Sequence, residues 1–375
     1  MSRSSPYRRP EAVHQLAAAL GREITRPWTV MEVCGGQTHA ILRWGLDQLL
    51  PDGMQLVHGP GCPVCVTPAA CIDQALQLAL QEPVILCSYG DMLRVPGSTG
   101  AQGCGDLLQA RAAGGDVRLI TSPWQALELA RQHPERQVVL LAVGFETTAP
   151  ATALLVLQAC RLGVRNLTLL QAHVRVVPAM EAVLAAAGNR VQGFLAAGHV
   201  AAVMGGAELE QLVQRWRIPV VISGFEPQEL LAALELCKQL LTTGTPRLLN
   251  AYGRVVRPAG NGTAQALVSQ VFAAADGPWR GLGAISAGVL RLRPAYRHLD
   301  AARRFGLDAP TVAKPSAVEA GVDPSAPCQA AAVLQGRCRP SDCPSFGTAC
   351  TPQHPLGAPM VSSEGACAAY HRYRR

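Results

Sequence analysis

The sequence predicts an α/β protein: parallel-sheet βαβ domains followed by a small, loop-rich, cysteine-dense C-terminal module. Three observations predict it. Short Val, Ile and Leu runs alternate with Ala/Leu-rich amphipathic stretches, as strands alternate with crossover helices in parallel sheets. Gly-Phe-Glu recurs directly after two such runs, in "VGFETT" at 143–148 and "SGFEP" at 223–227. The last fifty residues lose the apolar periodicity and gain cysteines.

The elements follow in order. "RPWTV" reads as a strand and leads into "MEVCGGQTHA" at 31–40, which sets Cys34, two glycines and His39 at a strand end. "PVILCS", "DVRLI", "QVVLLAV", "NLTLL", "VQGFLAA" and "IPVVIS" read as buried strands, while "PWQALELARQH" and "TALLVLQACRLG" read as helices. Ligands of such sheets lie at the carboxyl ends of strands, so Glu146, Thr147, Thr148 and Glu226 are candidate site residues. Helix capping is the competing role, favoured for Glu226. From about residue 310, "DAPTVAKPSAVEAGVDPSAPC" marks a boundary. The expected domains are 1–130, carrying Cys34, Cys62 and Cys65, then 131–255, then 256–375, with the small module at about 320–375.

Composition narrows the function. The 375 residues are 49% hydrophobic, enough for two or three cores. The excess of 33 Lys and Arg over 26 Asp and Glu is thinly spread, with few aromatics between the basic residues, which argues against nucleic-acid binding. The N-terminal stretch lacks the continuous apolar run of a signal peptide, and the other apolar runs are too short or broken to span a bilayer, so a cytoplasmic protein is expected. Thirteen cysteines in a reducing compartment point to metal, cluster or redox chemistry rather than a disulfide framework.

The cysteines form groups. Cys62 and Cys65 in "HGPGCPVCVTP" stand at a spacing that lets two sulfurs share a metal or close a reversible disulfide. Cys328, Cys343, Cys350 and Cys367 follow C-x14-C-x6-C-x16-C in a segment too poor in apolar periodicity to fold on its own core. Four thiolates suit a [4Fe–4S] cluster or zinc, and the lack of tight pairs favours the cluster. Cys338 is an alternative ligand. Cys71, Cys87, Cys104, Cys160 and Cys237 are scattered, and Cys87, Cys160 and Cys237 are expected in the core.

With "MEVCGGQTHA", "HGPGCPVCVTP", "GDMLRVPGS", "VGFETTAP", "LAAGHV", "SGFEP", "WRGLG", "DCPSFGTACTP" and "MVSSEGACAAY" in this order, the chain resembles the HypD family of hydrogenase maturation proteins. The resemblance implies a three-part α/β scaffold on which the Fe(CN)2CO fragment of [NiFe] hydrogenases is assembled. A small HypC-type chaperone shares the iron, a HypE-type protein delivers cyanide, and the hydrogenase large subunit is served indirectly. It implies Cys34 as the thiol that holds the iron, with His39 beside it. Cys62 and Cys65 become a redox-active pair, and Cys328, Cys343, Cys350 and Cys367 the ligands of a [4Fe–4S] cluster.

The chain departs from the family pattern at Gln37, where His is usual, at Ala197, where Pro is usual, and at Ala330 and Pro359, where further cysteines occur. Gln37 cannot titrate. Two other readings are a cluster-linked thiol–disulfide oxidoreductase, which has no need of Cys34, and a zinc-stapled binding module.

Overall fold

A computed structural model describes residues 5–22, 24, 26–98, 103–307 and 327–374. The stretch expected as a boundary lies outside these residues from 308 to 326, as does the start of the expected module. The strands, in chain order, are β1 Trp28–Glu32, β2 Met54–His58, β3 Val84–Ser88, β4 Val117–Leu119, β5 Gln137–Gly144, β6 Leu167–His173, β7 Gly193–Ala197, β8 Val220–Ser223, β9 Leu248–Asn250, β10 Phe272–Trp279 and β11 Gly283–Leu292.

The first nine strands form two parallel sheets, one ordered β2-β1-β7-β8-β9 and the other β4-β3-β5-β6. After β2 the chain leaves the first sheet, builds the whole second sheet, and returns at β7 beside β1, Val30 facing Gly193. Central strands are covered on both faces, which is why β5 reads as an unbroken apolar run and is buried from Val138 to Gly144. Crossover helices carry ordinary start signals: Ser122 and Gln125 make a capping box before Pro123–Gln132. The parallel α/β class is as the sequence predicts.

The domain boundaries do not follow the sheets. A division at 130 separates β4 from β5 within one sheet, and residues 1–130 give strands to both sheets. Sequence periodicity reports elements, not which sheet each one joins. The reading also missed β2, β9 and the antiparallel hairpin β10–β11. The hairpin has a joining role: Trp279, Leu282, Ile285 and Val289 bury in one apolar cluster with Met31 on β1, Val33 just after it and Phe145 after β5. Cys160, expected in the core, is exposed on the helix Ala149–Arg161, whereas Cys87 and Cys237 are fully buried.

Residues 327–374 form loops and short helices, among them Ala330–Leu334 and Ala366–Tyr373. The latter packs on the helix Gly35–Arg43 through Ala369, Tyr370 and Leu42. Among the described residues no helix is long and apolar enough to cross a membrane.

Candidate functional site

Strand order places Cys34. From β1 the chain moves outward to β2, and from β7 it moves outward the other way to β8, so β1 and β7 flank the switch point where parallel sheets open a crevice. Cys34 follows β1 there and is the N-cap of the helix Gly35–Arg43. Gly198 and His199 follow β7, and Phe225 follows β8. His199 stacks on Phe225 at 3.9 Å between ring centroids. A Cβ on Gly36 would stand 3.0 Å from Phe225 and 3.8 Å from the Cys34 sulfur, which places this aromatic pair beside the thiol.

Beneath Cys34 lies a buried polar network. Glu32, with no exposed surface, ends β1, and its Oε2 accepts from the Cys34 amide (2.8 Å). Its Oε1 accepts from the Thr38 hydroxyl and pairs with His58 Nδ1 (2.7 Å), His58 standing opposite Glu32 at the end of β2. His58 Nε2 reaches the Tyr370 hydroxyl at 3.4 Å. Sequence reading missed this network. Its signal is a carboxylate at 32 among apolar β1 residues, where polar–apolar alternation does not account for it.

The same network governs the thiol. A helix N-terminus ordinarily favours a thiolate, and the amides of Gln37 and Gly36 act that way. Burial and the neighbouring Glu32 outweigh them and push the Cys34 thiol up to about 12. The Cys34 thiol therefore holds its proton at neutral pH unless a cation takes the proton's place.

The loop Gly59-Pro60-Gly61-Cys62 rests on this thiol's backbone. Gly35 N donates to Gly61 O (2.7 Å), and a Cβ on Gly61 would fall on the Cys34 amide nitrogen. Cys62 and Cys65 are joined by a disulfide across the start of the short helix Pro63–Val66. In this disulfide state they offer no thiolate to a metal. Gly35 and Gly36, in turn, make room for the protein itself: a Cβ on Gly35 would meet Glu364 at 2.5 Å.

His39 does not lie with Cys34 in one contact set. Five residues further along a helix is about 140° round the axis. Its Nδ1 lies 3.3 Å from Ser363 O and its Nε2 3.2 Å from the Tyr373 hydroxyl, in a groove lined also by Asp91 and Arg94. Gln37, fully buried, donates to Ala196 O (3.2 Å) and Ser223 O (3.1 Å), pinning the helix to β7 and β8. Glu226 caps the helix Pro227–Thr242 and pairs with Arg8 (2.8 Å), which is the capping role favoured for it. Thr148 stands at the N-cap position of Ala149–Arg161, but its hydroxyl donates to Phe145 O (3.2 Å) and does not cap the helix. Glu146 is buried and pushed up to about 7 by desolvation; one oxygen accepts from Val176 N (3.0 Å), and the other has no partner among the described residues.

Cys328, Cys343, Cys350 and Cys367 line one pocket, with Val333, Phe346 and Met360 among its apolar walls. Cys338 is not among the lining residues. Ala330 and Pro359, the two positions where the family pattern has further cysteines, both are. Burial, and after it the sulfurs of Cys328, Cys350, Cys343 and Cys338, drive the Cys367 thiol well above its usual value, a cost that a cationic centre in the pocket would offset. The soft donors and apolar walls fit such a centre. Among the described residues no three His, Cys, Asp or Glu gather tightly enough for a single metal ion.

The fold and site define a two-sheet α/β protein with a free thiol at the switch point, a disulfide seated on it and a four-thiol pocket docked alongside. Residues 11–374 match the HypD family model, described as the Hydrogenase formation hypA family. The chain is 42% identical to the Hydrogenase maturation factor HypD of Escherichia coli (98% of this chain, 97% of that protein) and 44% identical to that of Azotobacter vinelandii (98% and 96%). It is 42% identical to that of Rhodobacter capsulatus (96% and 93%). The chain belongs to the HypD family of hydrogenase maturation factors.

Proposed function

We propose that this chain is a scaffold for assembly of the Fe(CN)2CO fragment of [NiFe] hydrogenases, holding the iron at Cys34. On this reading the iron is cargo shared with a HypC-type chaperone, cyanide arrives from a HypE-type protein, and the hydrogenase large subunit receives the product. The observation that carries the reading is Cys34 itself, a free thiol at the sheet's switch point with its amide fixed by Glu32 and the Cys62–Cys65 loop against its backbone. An incoming ferrous ion replaces the thiol proton, and the aromatic pair of His199 and Phe225 offers a partner a flat contact beside the sulfur. Cys328, Cys343, Cys350 and Cys367 would hold a [4Fe–4S] cluster. Bound there, it supplies one-electron chemistry.

The infrared spectrum of the chain isolated with its small chaperone is the test. Cys34→Ala keeps the fold and the C-terminal centre but loses the CO and cyanide stretching bands; Cys34→Ser fails nearly as badly, since an alcohol is a harder and less acidic ligand. Bands that survive in Cys34→Ala reject the scaffold reading. The disulfide at Cys62–Cys65 favours, as second reading, a cluster-linked thiol–disulfide oxidoreductase. That activity persists without Cys34.

A further inference from the structure

The helix Ala366–Tyr373 carries Tyr370 and Tyr373 one turn apart, and each meets a histidine in the same way. Tyr370 approaches His58 edge-on, with 5.4 Å between ring centroids and its hydroxyl 3.4 Å from Nε2. Tyr373 approaches His39 edge-on, with 5.3 Å between centroids and its hydroxyl 3.2 Å from Nε2. The histidines differ in what stands behind them. His39 Nδ1 faces Ser363 O, back in the C-terminal module, whereas His58 Nδ1 faces Glu32 Oε1 (2.7 Å). The other oxygen of Glu32 holds the Cys34 amide (2.8 Å).

Chemistry fixes the hydrogens along this chain of contacts. A carboxylate only accepts, so His58 Nδ1 carries the hydrogen that Glu32 receives, and Nε2 of the neutral ring is left with a lone pair. The Tyr370 hydroxyl, pushed up to about 12 chiefly by desolvation, keeps its proton and donates it there. A donor at Nε2 fixes both the tautomer and the ring orientation. Without it the ring hydrogen is free to move to Nε2, which turns a lone pair toward the carboxylate. Glu32, fully buried, then keeps the Thr38 hydroxyl and the Cys34 amide but loses its third donor.

We infer that Tyr370 is a positioning residue for Cys34, its hydroxyl selecting the His58 tautomer that keeps the Glu32 carboxylate in place under the Cys34 amide. The inference deepens the proposed function and rests on reading Cys34 as the thiol that takes the iron. Tyr373, with the same geometry on the same helix but a histidine that leads to Ser363, is the built-in control.

The test is nuclear magnetic resonance of the full chain, labelled with heavy nitrogen at histidine and cysteine, as wild type, Tyr370→Phe, Tyr373→Phe, His58→Leu and the Tyr370→Phe/His58→Leu double variant. Wild type shows His58 protonated at Nδ1. In Tyr370→Phe the ring shifts toward the Nε2–H form and the Cys34 amide exchanges about tenfold faster, roughly the worth of one buried hydrogen bond. The amide of Cys87, in the core of β3, exchanges as before. Tyr373→Phe leaves the His58 tautomer and the Cys34 amide as in wild type. His58→Leu speeds the Cys34 amide by itself, and adding Tyr370→Phe changes nothing more. If the tautomer or the Cys34 amide is unmoved in Tyr370→Phe, or the two substitutions add, the inference falls. It falls equally if Tyr373→Phe has the same effect, or if Cys87 speeds up in step with Cys34, since Tyr370 is then a general prop of the fold. The infrared spectrum of wild type isolated with its small chaperone keeps the two readings apart: missing CO and cyanide bands reject the scaffold, while the tautomer and the amide decide the role of Tyr370.

Discussion

Cys34 illustrates how residue type and environment divide the information. Its candidacy was legible through the ordered motifs of the family resemblance, since a lone thiol at a strand end is equally a small buried hydrophobe. Its ionisation was not, because that depends on Glu32 underneath and on burial. Alkylation of Cys34, followed by peptide mass, is therefore expected to be slow at pH 7 and to rise about tenfold per pH unit below its pKa of about 12. Glu32→Gln removes one of the two charges that raise this pKa, so its alkylation profile moves to lower pH. A profile identical to wild type shows that burial and Glu364 set the value without Glu32. Glu146 gives a second pH test. Its folded pKa of about 7 exceeds the unfolded 4.5, so the stability it contributes is full below pH 4.5 and declines by roughly 3 kcal/mol as pH rises to 7. Glu146→Gln should flatten that part of the curve of melting temperature against pH, and an unchanged slope rejects the shift.

At the scale of elements, most strands were legible because buried parallel strands are continuous apolar runs. β2 escaped notice: "MQLVH" ends in the histidine that serves Glu32, and its apolar run is short. The hairpin β10–β11 was hidden by Ala and Gly at positions where strands usually carry branched residues. The loop at 59–62 shows what glycine spacing encodes. Gly61→Ala places a Cβ on the Cys34 backbone, where nothing flexible can give way, and is expected to cost roughly 1–3 kcal/mol in chemical denaturation. Gly262→Ala, in the first turn of the helix Gly262–Val271 with nothing within 4 Å of its Cβ, is expected to stabilise by about 0.5–1 kcal/mol. Equal effects at the two sites would show that the loop yields and does not fix the thiol.

For the whole molecule, the sequence could count four C-terminal cysteines but could not say what they brace, because the contacts run between segments 300 residues apart. The module of 327–374 is bound to the first sheet through Ala369 and Tyr370 on Leu42, through Leu334 buried in one apolar cluster with Met31 and Val57, and through polar links from His39 to Tyr373 and from Arg374 to Asp47. It meets the second sheet through Ala358 and Val361, buried in one apolar cluster with Leu86 and Val139, and through Ser362 to Asp91 (2.8 Å) and Arg94 to Pro352 O (2.7 Å). Its own apolar interior is little more than Cys350, Met360 and Cys367, too small to hold a fold alone. On the proposed function, a [4Fe–4S] centre bound by the four cysteines would stabilise the docked module as a unit. Cys343→Ala, Cys350→Ala or Cys367→Ala should bleach the iron–sulfur absorbance, while Cys338→Ala, outside the pocket, should retain it. Loss of the centre should raise amide hydrogen exchange in residues 327–374 and, through the helix pair, in Gly35–Arg43, the helix capped by Cys34. The strands β3, β5 and β6 should exchange as before, since their core forms without the four cysteines. Faster exchange confined to the module would mean that the centre braces only itself; exchange rising equally in β5 would mean that the molecule unfolds as one unit and that the thiol site has no privileged link to the cysteine pocket.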